Sequence, residues 1–169
     1  EDKLAAMHPL WAPGQGSGYH PITYGFLADA IARRVTGKSV GGLLRDDIAG
    51  PLGIDFHIGT PEALHARAAE HVLPPRAPFL GKTNDAKAAA FLKPWSSPGR
   101  KGATEWRMAE FPAANGHGTA RAITELLSPF ARAGKLRDAL LIAPDTVEAA
   151  MMERVSGPDR VLPFDLAIG

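Results

Sequence analysis

Gly18-Tyr19-His20-Pro21-Ile22-Thr23-Tyr24-Gly25-Phe26-Leu27, running on to Arg33-Arg34-Val35-Thr36-Gly37-Lys38-Ser39, is the stretch from which the rest of the chain is read. Just upstream, Met7-His8-Pro9-Leu10-Trp11-Ala12-Pro13-Gly14-Gln15-Gly16-Ser17 mixes prolines, glycines and large aromatics, the composition of a loop. Over residues 23–35 the apolar positions Phe26, Leu27, Ala30, Ile31 and Val35 recur at helical spacing. Arg33 and Arg34 fall in the last turn and Gly37 follows as a stop. The stretch predicts a tyrosine-bearing loop that feeds directly into a helix.

Working outward, Ser39 is placed to cap a second helix with Val40, Leu43, Leu44 and Ile48 on its apolar side, ending at Gly50-Pro51. Residues 54–58 alternate weakly, as a short strand does. Thr60-Pro61-Glu62 then offers a capping residue, a proline at the first helical position and an early acid. Residues 73–118 carry Pro74, Pro75, Pro78, Pro94, Pro98 and Pro112, which leave room only for a turn or two of helix around 85–92. So long an irregular segment reads as a functional loop or a covering segment. Order returns at Thr119, where Ala120, Ile123, Leu126, Leu127 and Phe130 trace one helical face that Pro129 is expected to kink or shorten. Pro144-Asp145 opens a last helix with Val147, Ala150 and Met151 on one side, closed before Gly157-Pro158.

Composition narrows the function. The 169 residues hold 19 basic and 18 acidic side chains, a net charge of +1, and the basic residues are scattered. No electrostatic footprint for nucleic acid or an anionic membrane follows from that distribution. No apolar run approaches the length of a membrane span. Without cysteine there is no disulfide framework, thiolate nucleophile or Cys-based metal site. The 18 glycines and 15 prolines, far above the roughly 12% of ordinary usage, mean many turns and long connections. The chain starts at Glu1 without methionine and stops at Gly169 after the apolar run Val161-Leu162-Pro163-Phe164-Asp165-Leu166-Ala167-Ile168, so an internal fragment of a longer protein is expected.

Several motifs fail on inspection. Gly14-Gln15-Gly16-Ser17-Gly18 lacks the third glycine of a dinucleotide loop and the Lys-Ser/Thr of a phosphate loop, and Ser17 is not in Gly-x-Ser-x-Gly, so it reads as a plain turn. His65 and His71 lie near Glu62 and Glu70 but form no metal-ligand spacing; no metal or cofactor is expected. Asn115-Gly116-His117-Gly118-Thr119 reads first as a tight turn feeding a helix, with Asn115 a secondary candidate for substrate contact.

What remains is a set of landmarks: Pro9-Leu10-Trp11-Ala12-Pro13-Gly14, Gly18-Tyr19-His20, Thr23-Tyr24-Gly25, Ile48-Ala49-Gly50-Pro51-Leu52-Gly53-Ile54, the run from Phe111-Pro112 through Asn115-Gly116-His117-Gly118-Thr119-Ala120-Arg121, and Leu141-Ile142-Ala143-Pro144-Asp145. Together these resemble the serine β-lactamase and penicillin-binding-protein superfamily over nearly the whole chain, most closely its β-lactamase-like carboxylesterases of family VIII type. The resemblance implies a mainly α fragment of an α+β fold, the helical domain with most of the antiparallel sheet absent. One domain is then shared among a tyrosine-motif loop (1–21), helices (22–72), the irregular segment (73–118), further helices (119–156) and the start of the C-terminal sheet region (157–169). It also implies a serine hydrolase acting on a small acyl ester or β-lactam-like substrate, with Tyr19 as the catalytic tyrosine. Trp11 and His20 are candidate substrate contacts beside Asn115, and Trp95 and Trp106 join Trp11 as candidate pocket lining.

The departures are as informative. The third position of the tyrosine motif is Pro21 where the lactamase form has asparagine, which favours ester cleavage over β-lactam turnover. No serine is followed three residues later by lysine, and His117-Gly118-Thr119 precedes a helix in the wrong order for the family's late strand motif. A free phenol titrates near pH 10, and bringing a phenol to neutrality takes roughly 4 kcal/mol of preferential stabilisation of its anion. In the family the Ser-x-x-Lys lysine supplies that charge. Adjacent residues of extended backbone point apart, so His20 is no substitute. The fragment alone is therefore expected to be inactive, its natural partner being the remainder of its own parent chain. A non-catalytic binding module and a peptidoglycan carboxypeptidase acting on D-Ala-D-Ala ends are the alternative readings.

Overall fold

A four-residue helix, α1 (Asp2–Ala5), precedes the loop, and the loop runs directly into α2 (Thr23–Thr36). The computed structural model describes residues 2–70, 72, 75, 79, 81–92 and 103–168. α2 stops at Gly37, whose φ of 75° lies in the left-handed region and whose N–H donates to the Arg33 carbonyl at 2.9 Å. Asp29 ties α2 to the next helix: its Oδ1 accepts the Val40 N–H at 2.7 Å while Oδ2 accepts from Arg33.

Ser39 caps that helix as read from the sequence, its Oγ accepting from the Gly42 N–H at 3.0 Å. The expected end at Gly50-Pro51 is overrun. α3 (Val40–Leu43) continues as a π-helical stretch (Leu44–Ala49) and then as α4 (Gly50–Leu52), which closes at Gly53 with a φ of 62°. The wider π turn, in which the Gly50 N–H bonds the Arg45 carbonyl, brings Pro51 to the first turn of α4. There its missing N–H costs nothing.

β1 (Phe56–His57) lies in the expected strand region, and Glu62–Arg67 forms a 3₁₀ helix. Thr60 does not cap it: Pro61 holds the cap position, and the Thr60 hydroxyl is buried without a hydrogen-bond partner among the described residues. Thr60 is instead tied through its own N–H to the Arg107 carbonyl at 2.7 Å. α5 (Asp85–Lys87), capped by Asn84, continues as a π-helical turn (Ala88–Leu92), in the region where a turn or two was expected. α6 (Thr104–Met108) was not anticipated; its prolines lie outside it, so nothing in the segment itself forbids the helix.

β2 (His117–Gly118) pairs antiparallel with β1, His57 opposite His117. α7 (Ala120–Ala131) is capped by Thr119 Oγ1 and tolerates Pro129 close to its end. The hairpin β3 (Lys135–Leu136) and β4 (Ala139–Leu140), not foreseen, leads to α8 (Pro144–Met151). The antiparallel pair β5 (Val155–Pro158) and β6 (Asp165–Ile168) follows. The described residues are thus mainly helical, with three two-stranded sheets.

The core lies where the 44–54 turn meets α7 and β3: Ala49, Ile54, Ala122 and Leu136 are buried, with Leu44, Ile48, Leu52, Phe56 and Leu126 packed around them. An aromatic stack joins α6 to α2, Trp106 on Phe111 at 4.9 Å and Phe26 edge-on to Phe111 at 5.6 Å. Here the helical periodicity was right and its apolar stripe is buried only in part, at Phe26, Ala30 and Leu126. α2 buries Gly25 and Ala30 and leaves Tyr24, Leu27, Ile31 and Val35 exposed; α7 buries Ala122 and Pro129 and leaves Ile123, Leu127 and Phe130 exposed. Gly25 explains part of this, since a Cβ there would stand 2.6 Å from the Ala113 backbone nitrogen: α2 docks by backbone contact on its small side.

Candidate active site

Loop 7–21 is shaped by its glycines and by Trp11. Gly16 has a φ of 104°, and its carbonyl accepts the Trp11 indole N–H at 3.2 Å. Gly18 packs so tightly that a Cβ would stand 2.6 Å from Trp11 Cη2. The Gly14–Gly18 run is therefore a turn, as its spacing suggested. Tyr19 emerges directly after the Gly18–Trp11 contact, with its ring stacked on Phe91 at 6.1 Å and 27°. The ring is partly exposed, and its hydroxyl makes no hydrogen bond among the described residues.

Tyr19 forms part of the wall of a cavity of about 500 Å³, shared with Met7, Leu10, Trp11, His20 and Ala90. The structure thus brings together three of the four sequence candidates, Trp11, Tyr19 and His20. His20 accepts or donates at Thr23 Oγ1, 2.8 Å away, with its ring against the edge of Tyr24. Loss of water on its packed side pushes its pKa below the ordinary histidine value, favouring the neutral ring. Among the described residues no lysine or arginine lines this cavity.

Asn115 lies elsewhere, against a second cavity of about 390 Å³ lined by Asp55, His57, Arg67, Trp106, Asn115 and His117. Only 2% exposed, it spends its amide on backbone: Oδ1 accepts from Phe111 N–H at 2.9 Å, and Nδ2 donates to the carbonyls of Trp106 at 2.7 Å and Ala109 at 2.6 Å. That is its full capacity of two donors and a bonded acceptor. Beside it, the Arg67 guanidinium and then His57 hold the Asp55 carboxyl below the usual carboxylate range. Trp106 is buried under Phe111, in the second cavity and not the first; Trp95 lies outside the described residues.

Three residues at the Tyr19 site were not singled out from the sequence: Phe91, Asp159 and Arg160. Asp159 Oδ1 accepts the Tyr19 N–H at 3.2 Å, and the Arg160 guanidinium lies over Trp11 at 4.8 Å. An aspartate after Gly157-Pro158 is a turn signal, but its reach to Tyr19 has no local signature. Among the described residues no group of three or more His, Asp or Glu side chains is arranged to hold a metal ion, and no helix is long and apolar enough to cross a membrane.

Comparison with known proteins places this geometry. The chain is 50% identical to a penicillin-binding protein homologue from Caulobacter crescentus, whose crystal structure superposes with a TM-score of 0.93 over 99% of this chain and 44% of that one. A family VIII carboxylesterase structure matches at 32% identity and a TM-score of 0.82, over 97% of this chain and 44% of the other. The esterase/beta-lactamase LipL of Mycobacterium tuberculosis is 30% identical over all of this chain and 43% of its own length. The chain thus spans less than half the length of these relatives and carries a partial, mainly helical portion of their fold. Residues 1–169 match the Beta-lactamase family from end to end, and the chain belongs to that family.

Proposed function

We propose that this chain is the phenol-bearing part of a serine hydrolase that cleaves small carboxylic esters through an acyl-serine intermediate, with the serine and lysine supplied by polypeptide outside residues 1–169. The observation that carries the reading is Tyr19: a hydroxyl without a hydrogen bond among the described residues, on a ring held against Phe91 in the wall of a largely apolar cavity. The names of the relatives point the same way, and Pro21 in the tyrosine motif tips the choice to esters.

In this reading the Tyr19 phenolate, stabilised by the lysine ammonium, takes the serine proton as serine Oγ attacks the ester carbonyl carbon. The proton passes to the departing alkoxide oxygen as the C–O bond breaks. Water then attacks the acyl-serine, giving its proton to the same phenolate; the bond from the acyl carbon to serine Oγ breaks, the phenol hands the proton back to Oγ, and the acid is released. Trp11 and the apolar wall would hold the acyl or alcohol group. The exposed rows of α2 and α7 fit a chain spanning 44% of its relatives: the rest of the domain is their cover.

The test is Tyr19→Phe in the parent polypeptide, assayed on a short-chain chromogenic ester. The expected loss in kcat is about a thousandfold, within the range for removing a general base, with Tm changed by less than about 2 °C. Wild-type turnover by the variant removes the role given to Tyr19. Residues 1–169 alone are expected to show no hydrolysis above buffer, and cleavage through a serine of their own would contradict the reading.

A further inference from the structure

The loop that presents Tyr19 is held from the far end of the chain. One carboxylate oxygen, Asp159 Oδ1, accepts three backbone N–H groups: Leu162 at 2.7 Å, Val161 at 2.8 Å and Tyr19 at 3.2 Å. The first two are local and shape the turn around Asp159, so the oxygen is already oriented when it meets Tyr19, 140 residues away. The other carboxylate oxygen is buried and makes no hydrogen bond among the described residues, which leaves Oδ1 to carry the contact.

The neighbours of Asp159 repeat the same attachment. The Arg160 N–H donates to the Ser17 carbonyl at 3.0 Å, and its guanidinium to the Gln15 carbonyl at 2.5 Å. Asn84 Nδ2 donates to the Arg160 carbonyl at 3.0 Å, tying in the segment that carries Phe91. Val161, 3% exposed, packs behind Gly18. With Gly18 wedged between Trp11 and Val161 and the next N–H fixed by Asp159, the direction in which the Tyr19 side chain leaves the backbone is set. The Phe91 ring then limits its rotation.

Resting on the reading of Tyr19 as proton acceptor, we propose that Asp159 is a positioning residue for the same reaction: its Oδ1 fixes the backbone from which the phenol projects, and it acts on turnover only through Tyr19. A proton acceptor displaced by about 1 Å loses much of its rate advantage, so the effect belongs in kcat more than in KM.

The experiment is a double-mutant cycle in the parent polypeptide, with Asp159→Ala and Asp159→Asn each made in the wild-type and Tyr19→Phe backgrounds and assayed on the same chromogenic ester. Asp159→Ala is expected to lower kcat about 10- to 100-fold with KM within about threefold, and Asp159→Asn, whose amide oxygen still accepts, about two- to tenfold. Neither is expected to lower the residual rate of Tyr19→Phe any further. An equal fold-loss in both backgrounds, or wild-type kcat in Asp159→Ala, overturns the inference. If Asp159→Ala does not fold, the Asn pair decides by the same comparison, and wild-type kcat in Asp159→Asn then assigns Asp159 to stability alone, which also overturns it. Wild-type kcat in Tyr19→Phe is the separate result that defeats the reading of Tyr19 itself.

Discussion

The two cavities are similar in size, about 500 and 390 Å³, but their polar groups are occupied in opposite ways. Around Asn115 the side chains are committed apart from the buried Thr60 hydroxyl: the amide to three backbone partners, Asp55 to Arg67 and His57, His117 Nδ1 to the Asn115 carbonyl. Around Tyr19 it is the loop backbone that is held, by Trp11 at Gly16, Asp159 at Tyr19 and Arg160 at Gln15 and Ser17, while the phenol hydroxyl is left without a hydrogen bond among the described residues. A polar group saturated by its own scaffold holds the fold together. One presented unsaturated from a rigid loop is available for chemistry.

This contrast can be broken by exchanging the two kinds of damage. Tyr19→Phe carries the largest expected effect, the thousandfold loss of kcat at nearly unchanged Tm. Asn115→Ala is its mirror image. It strands one N–H and two carbonyls in a buried place, so urea unfolding should show a loss of about 3 kcal/mol while turnover per folded molecule stays within about twofold of wild type. A catalytic collapse of Asn115→Ala at full stability would move the site to the second cavity.

Gly18→Ala sharpens the comparison from the loop side. The new methyl must push Trp11 Cη2 from 2.6 Å, at a cost of about 1–2 kcal/mol, and the displacement falls on the residue before Tyr19. Both unfolding free energy and kcat should drop, kcat by about tenfold. The smallest effect is acid dependence. Burial lowers the His20 pKa in the folded protein, so as pH falls below the ordinary value of about 6.5 the unfolded chain takes up the proton first. The stability contribution is complete above that pH and declines below it until the folded ring also protonates. His20→Asn should flatten this part of a Tm-against-pH curve, and an unchanged slope would mean that His20 is as hydrated as in the unfolded chain.

Much of the local structure was legible before any coordinates. Ser39 caps the helix it was expected to cap, α7 begins directly after Thr119 where order was expected to return, and Gly37 ends α2, because capping and left-handed termination depend on a few adjacent residues. Thr60 failed the same test: the 3₁₀ helix starts with Pro61 at the cap position, one residue later, and the Thr60 N–H, not its hydroxyl, is used, on the Arg107 carbonyl of α6. Periodicity found α2 and α7 but only part of the sides they bury, Phe26, Ala30 and Leu126. An apolar stripe says that something packs there, and within these residues the most deeply buried positions include the small Gly25, Ala30 and Ala122, with a close backbone approach at Gly25. Trp11, Tyr19 and His20 came together because they are neighbours in the loop. Asn115 was grouped with them on a turn motif alone, and the tertiary path took it to another cavity.

From residue order alone followed the family, the tyrosine loop, the Ser39 cap and the Gly37 stop, and the lack of a Ser-x-x-Lys within residues 1–169, all of which rest on near neighbours in the chain. Tertiary structure alone decided which polar groups are spent, which helix faces lie bare, and that Asp159 holds the Tyr19 loop across 140 residues. Those depend on contacts between distant segments, and the local energies of sequence carry no record of which segment a donor will finally meet.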